Sequence, residues 1–179
     1  MTENIDQLQY PIGKFQTPQE ISKEDRERYI QTIRELPQKL REAVNGLNVE
    51  QLDTQYREGG WTLRQVVHHL ADSHTNANIR FRLALTEDHP TVKGYLEAHW
   101  AELSDARHLP VEVSLKILEG THQRWTHLMS SMTDEEWKRT FFHSQYNRTS
   151  ALDSTLALYA WHSKHHVAHI SALRARKNW

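Results

Sequence analysis

With 179 residues, 37% of them apolar, a formal charge of −1 and a mean hydropathy of −0.78, the chain is sized and composed for a single water-facing domain over 1–179. The near-neutral charge gives no electrostatic footprint for nucleic acid, and no apolar run is long enough to span a bilayer. The absence of cysteine excludes disulfides and thiolate ligands, so any metal must be held by nitrogen and oxygen.

The opening Met1-Thr2-Glu3-Asn4-Ile5-Asp6 lacks the charged and apolar regions of a signal peptide, so a cytoplasmic location is expected. The first helix is predicted to start near Ser22, with Asp25 as capping-box partner. Tyr29, Ile33, Leu36, Leu40, Val44 and Leu47 continue it as one stripe, ending around Gly46. Pro37 lies inside that stripe and should kink or split the helix, because it removes a backbone donor.

The second helix follows Gly59-Gly60, with Thr62 as cap, Gln65 as its partner, and Trp61 stapled to Val66. Its inner stripe runs from Leu63 through Val66, Val67, Leu70, Ala77, Phe81, Ala84 and Leu85, and His89-Pro90 closes it. Residues 90–109 then read as a long connection with a short helix around Tyr95–Leu103. Pro110 suits the first turn of a third helix, striped by Leu115, Leu118, His122, Trp125 and Met129. Thr133 with Glu136 starts a further helical turn through Trp137. The last helix is expected to begin near Thr149 or Ser150, boxed by Asp153, with Leu152, Leu156, Tyr159, Ile170 and Leu173 facing inward. Nothing alternates with period two over a useful length, so no strand is predicted and the fold class is an all-α four-helix bundle.

Histidine is the unusual feature. His162, His165, His166 and His169 fall within one stretch of the last helix, as the i,i+4 pairs His162/His166 and His165/His169. Such pairs lie one turn apart on a shared face and can aim nitrogen at one ion. On a helical wheel the apolar stripe centres near about 340°, with His166 at about 320°, His162 at about 280°, His169 at about 260° and His165 at about 220°. His162/His166 therefore faces inward best, and His165 is the one expected in solvent. On the second helix His74 lies within the stripe, while His68 and His69 flank it, so periodicity favours His74 over His69. His74 and His122 taken singly read as core residues. His68, His89, His99, His108, His127 and His143 read as surface or loop positions.

Gly60-Trp61-Thr62-Leu63-Arg64-Gln65-Val66-Val67-His68-His69-Leu70-Ala71-Asp72 resembles the W-[ST]-x-x-x-[VIL]-[VIL]-x-H-L signature of the DinB/YfiT-like superfamily. His162-Ser163-Lys164-His165-His166 resembles the H-x-x-x-H element of that family, and Tyr10-Pro11-Ile12-Gly13-Lys14-Phe15 resembles the opening of its YfiT branch. The likeness spans essentially the whole chain. It implies a metal triad of His69, His162 and His166, with His74 standing where many members carry a carboxylate and His169 where many carry glutamine.

Three imidazoles with no fourth protein ligand leave a coordination position open, as catalytic sites do. The resemblance implies one divalent ion per chain, zinc first and nickel second, and a small-molecule substrate. The expected activity is metal-dependent hydrolysis through an activated water. The alternatives are a metal-dependent thiol S-transferase of the bacillithiol type and a non-catalytic metal-binding stress protein. A homodimer with no nucleic-acid or membrane partner is expected. Asp72 and Asp153 are candidates to orient the ligands, no general base is named, and the 88–109 connection with Tyr10–Phe15 is expected to shape the pocket mouth.

Overall fold

Capping boxes start helices where the sequence places them. The side chains of Ser22, Thr62 and Thr133 each accept from the backbone N–H three residues on, and Asp25, Gln65 and Glu136 reach back to the cap. Thr62→Ala leaves the Gln65 N–H, a first-turn donor of the site-bearing helix, without its side-chain acceptor, which costs about 1 kcal/mol. The expected result is a melting midpoint lowered by about 2–4 °C; a reversible melt that does not move would argue against the cap.

The computed structural model describes residues 5–179; Met1–Asn4, which open the stretch read above for a leader, lie outside them. In chain order the elements are α1 (Ile5–Gln9), α2 (Lys23–Val44), α3 (Val49–Leu52), α4 (Leu63–Thr86), β1 (Thr91–Val92), α5 (Glu97–Trp100), α6 (Ser104–His108), α7 (Val111–Ser130), α8 (Asp134–Trp137), β2 (Thr140–His143), β3 (Arg148–Ala151) and α9 (Leu152–Lys177). The long helices α2, α4, α7 and α9 form the expected four-helix bundle. α2 packs along α7 and α9, and so does α4, which places α2 and α4 at diagonal corners. No described helix is long and apolar enough to cross a membrane.

Three expectations are corrected. First, of the two outcomes expected at Pro37, the split does not occur, and α2 runs through it as one helix. Proline cannot donate to the carbonyl four residues back, and that carbonyl, Ile33 O, instead accepts from His122 Nδ1 at 2.6 Å. Second, a three-stranded sheet forms, with β1 parallel to β2 and β2 antiparallel to β3. Third, Thr149 and Ser150 belong to β3, so α9 starts at Leu152 with Ala151 as an N-cap that makes no side-chain hydrogen bond. Asp153 only accepts from the next residue, Ser154 N.

The core is split. Leu40, Leu63, Leu70, Leu118 and Ile170 belong to one apolar cluster, and Ile33, Phe81, Trp125, Leu152 and Leu156 to another. Between them, along α4, α7 and α9, runs a belt of buried polar groups that includes His69, His74, His122 and His166. The first turns of α4 also pin the connection before α7. Arg64 Nη1 donates to Leu109 O, Gln65 Nε2 to Ala101 O, and His68 pairs with Ser114 Oγ at 2.7 Å.

Candidate metal centre

His69 comes from α4, and His162 and His166 from successive turns of α9. The Nε2 atoms of His69 and His162 are 3.2 Å apart, and those of His166 and His162 are 3.1 Å apart. All three lie within 4.8 Å of one another. Ligands at about 2.0–2.1 Å from one tetrahedral ion stand about 3.3 Å apart, so the His69–His162 and His166–His162 pairs have the spacing a small divalent ion requires. The donor set fits such an ion: three neutral imidazoles, no thiolate and no carboxylate.

Burial accounts for their neutrality. Desolvation is the first cause throughout, pushing the His69 imidazole down to about 3 and those of His162 and His166 well below the usual histidine value. His74 is also pushed well down, and His122, His165 and His169 fall to about 4.

His165, expected in solvent, is buried at 7% exposure. It stacks on Trp161 and faces Tyr10, because the N-terminal segment folds over that side of α9 and is held there by Trp161 Nε1 donating to Gly13 O. His68 and His143 are likewise buried rather than superficial. His89, His99, His108 and His127 are exposed as expected. Trp61 packs on the apolar core and also covers the cluster, its ring 4.5 Å from that of His69. Gly60 permits this turn, since a Cβ there would lie 3.0 Å from the Tyr56 ring.

The orienting groups are not the aspartates. Asp72 is pushed up to about 6, by burial first and by Asp105 second, and no hydrogen bond joins it to a histidine of the cluster. The second nitrogens of two cluster histidines instead face other imidazoles: His162 Nδ1 lies 3.2 Å from His74 Nε2, and His166 Nδ1 lies 3.3 Å from His169 Nδ1. Periodicity had preferred His74 to His69; His74 lies one layer behind.

His69 and His162 line a cavity of about 380 Å³, whose wall includes Phe15, Arg80, Tyr95 and His143. The mouth therefore draws on the N-terminal segment and the 88–109 connection as expected, and on β2 and β3 as well, which sequence did not suggest. Both ring nitrogens of His143 and the Tyr95 hydroxyl are buried without a hydrogen-bond partner. Arg80 Nη1 donates to Tyr159 Oη at 3.4 Å, and none of the ion pairs among the described residues includes Arg80 or Arg148. Glu97, the one carboxylate in the wall, accepts from Tyr146 Oη.

The sequence profile of the DinB superfamily matches residues 32–170. YfiT of Bacillus subtilis is 48% identical over 172 residues, covering 96% of this chain and 97% of that protein. Its solved structure, described as "a probable metal-dependent hydrolase with an unusual four-helix bundle topology", superposes with a TM-score of 0.94 over 97% of this chain and 99% of that chain. A relative from Geobacillus thermodenitrificans, named in the same provisional terms, is 51% identical over 175 residues and 98% of each chain. The mycothiol-dependent maleylpyruvate isomerase shares the fold alone, with a TM-score of 0.64 at 16% identity over 81% of this chain and 60% of that one.

Proposed function

As the chain belongs to the DinB superfamily, we propose that it is a metal-dependent hydrolase in which His69, His162 and His166 hold one divalent ion, zinc first and nickel second, and that its substrate is a small anionic molecule. One observation carries the reading: three neutral Nε2 atoms converge at ligand spacing, with His69 and His162 also forming part of a cavity wall. A divalent ion bound there supplies Lewis-acid activation, polarising a substrate carbonyl or making water a nucleophile near neutral pH.

The chain's own groups do the rest. Arg80 and Arg148 bring two positive charges to the cavity wall against the single charge of Glu97, which favours an anionic substrate group. Arg80, unpaired with any carboxylate and touching Tyr159, is placed to hold that group beside the histidines. His143 is pushed down by burial and so is neutral, with both nitrogens free to exchange hydrogen bonds or a proton with the substrate. Phe15 forms part of the cavity wall, and Trp61 covers the histidine cluster from the side of His69. A volume of about 380 Å³ suits a small molecule.

The test is a panel of small carboxylate-bearing esters and amides offered to the zinc-loaded protein in ¹⁸O-labelled water, with a low-molecular-weight thiol present or absent. Hydrolysis puts label in the product without consuming thiol. Arg80→Gln should raise KM at least about tenfold while metal content stays unchanged, the loss of one charge-assisted hydrogen bond being worth about 1.5–3 kcal/mol. Turnover that consumes thiol stoichiometrically would replace this reading with thiol transfer.

A further inference from the structure

Two chains of buried imidazoles end on backbone carbonyls, and a carbonyl can only accept. That fixes the position of every proton along each chain.

In the first, His122 Nδ1 lies 2.6 Å from Ile33 O and must donate. A neutral ring carries one donor and one acceptor, so His122 Nε2 accepts from His74 Nδ1 at 3.0 Å. His74 Nε2 then accepts from His162 Nδ1 at 3.2 Å, and His162 is left with its lone pair at Nε2. In the second chain His169 Nε2 donates to Gln9 O at 3.1 Å, so His169 Nδ1 accepts from His166 Nδ1 at 3.3 Å. His166 too is left with its lone pair at Nε2. The lone pairs of His162 and His166 face each other across 3.1 Å, an arrangement that repels unless a cation lies between them.

We propose that His122, His74 and His169 are positioning residues that lock His162 and His166 in the Nδ1–H tautomer, from anchors at the Ile33 and Gln9 carbonyls. The Ile33 anchor exists because Pro37 withholds the helical donor that would otherwise occupy that carbonyl. The same protons rule out the second histidine group. His165, His166 and His169 come as close together as metal ligands do, but the facing nitrogens of His166 and His169 share one hydrogen bond and have no pair of electrons free for an ion. Because the acceptors are neutral imidazoles, they draw less on the ligand protons than carboxylates would, and more of the ion's positive charge is left for the cavity.

This inference rests on the ligand assignment proposed above, and its test separates the two. Long-range ¹H–¹⁵N correlation spectra of histidine-labelled protein, metal-free and zinc-loaded, read each tautomer directly. Expected is Nδ1–H at His74, His122, His162 and His166 and Nε2–H at His169, already present before zinc is added. His122→Leu removes both the anchor and the acceptor for His74. It should leave His74 in mixed tautomers and weaken zinc binding about 10–100-fold, while His122→Gln, which keeps one donor and one acceptor, restores most of the affinity. A proton on Nε2 of His162 or His166 in the metal-free protein would overturn the relay, and so would a folded His122→Leu with unchanged zinc affinity. Zinc failing to bind with the tautomers as drawn would overturn the ligand assignment instead.

Discussion

His162→Ala is expected to strip the protein of its divalent ion, whereas His165→Ala, three residues away on the same helix, should retain it. The contrast follows from which nitrogens converge. His162 Nε2 is within 3.2 Å of the Nε2 atoms of both His69 and His166, so its removal takes away the shared vertex of the cluster. His165 stacks on Trp161 outside that triangle, and its Nδ1 is buried without a partner. Losing an orienting hydrogen bond costs about 10–100-fold in metal affinity, and losing a ligand costs more. Elemental analysis of untagged protein after dialysis against a weak chelator would decide it. About one equivalent in the parent and in His165→Ala, and none in His162→Ala, is the expected pattern. Equal retention in both variants would place the metal elsewhere.

The metal-free protein should lose stability steeply as pH falls from 6.5 towards 4. His122 titrates at about 4 and His69 at about 3 in the folded chain, both held down chiefly by desolvation, against an ordinary value of 6.5. Between those values the unfolded state takes up protons that the folded state refuses. Stability therefore rises with pH through this window and is lost as pH falls through it. Near pH 5 each of these two groups costs about 2 kcal/mol, a large share of the roughly 5–15 kcal/mol that folded domains possess. His74, His162 and His166 are pushed down for the same reason and act in the same direction. Urea unfolding of the metal-free protein at pH 7 and pH 5 reads the effect as a fall in midpoint. Saturating zinc should move the loss to lower pH, because the ion binds only the folded form. Equal midpoints at pH 7 and pH 5 without metal would mean the histidine belt is not buried in solution.

Much of the fold was legible because it is local. A cap, its box partner three residues on and an apolar residue every three or four positions need no knowledge of the rest of the chain, and α2, α4 and α8 start at Ser22, Thr62 and Thr133 as those signals require. The His162/His166 pair was visible on the same terms. The sheet was not, since β1 is two residues long and pairs with a strand some fifty residues away, and β3 buries no residue fully. Nor was His165, whose cover is Tyr10, brought from the far end of the chain.

Sequence alone determined the four long helices, the exclusion of protein thiolate ligands and one face of the histidine cluster, because each depends on residue type and spacing within a few turns. Tertiary structure sets His69 against His162 Nε2 and His74 against His162 Nδ1, on opposite sides of that ring, a distinction that wheel angle does not make and that only the family resemblance anticipated. It also decided what becomes of Pro37. Read locally, proline breaks a helix because it leaves a carbonyl unpaired; in the bundle that carbonyl finds His122, a donor eighty-nine residues away along the chain.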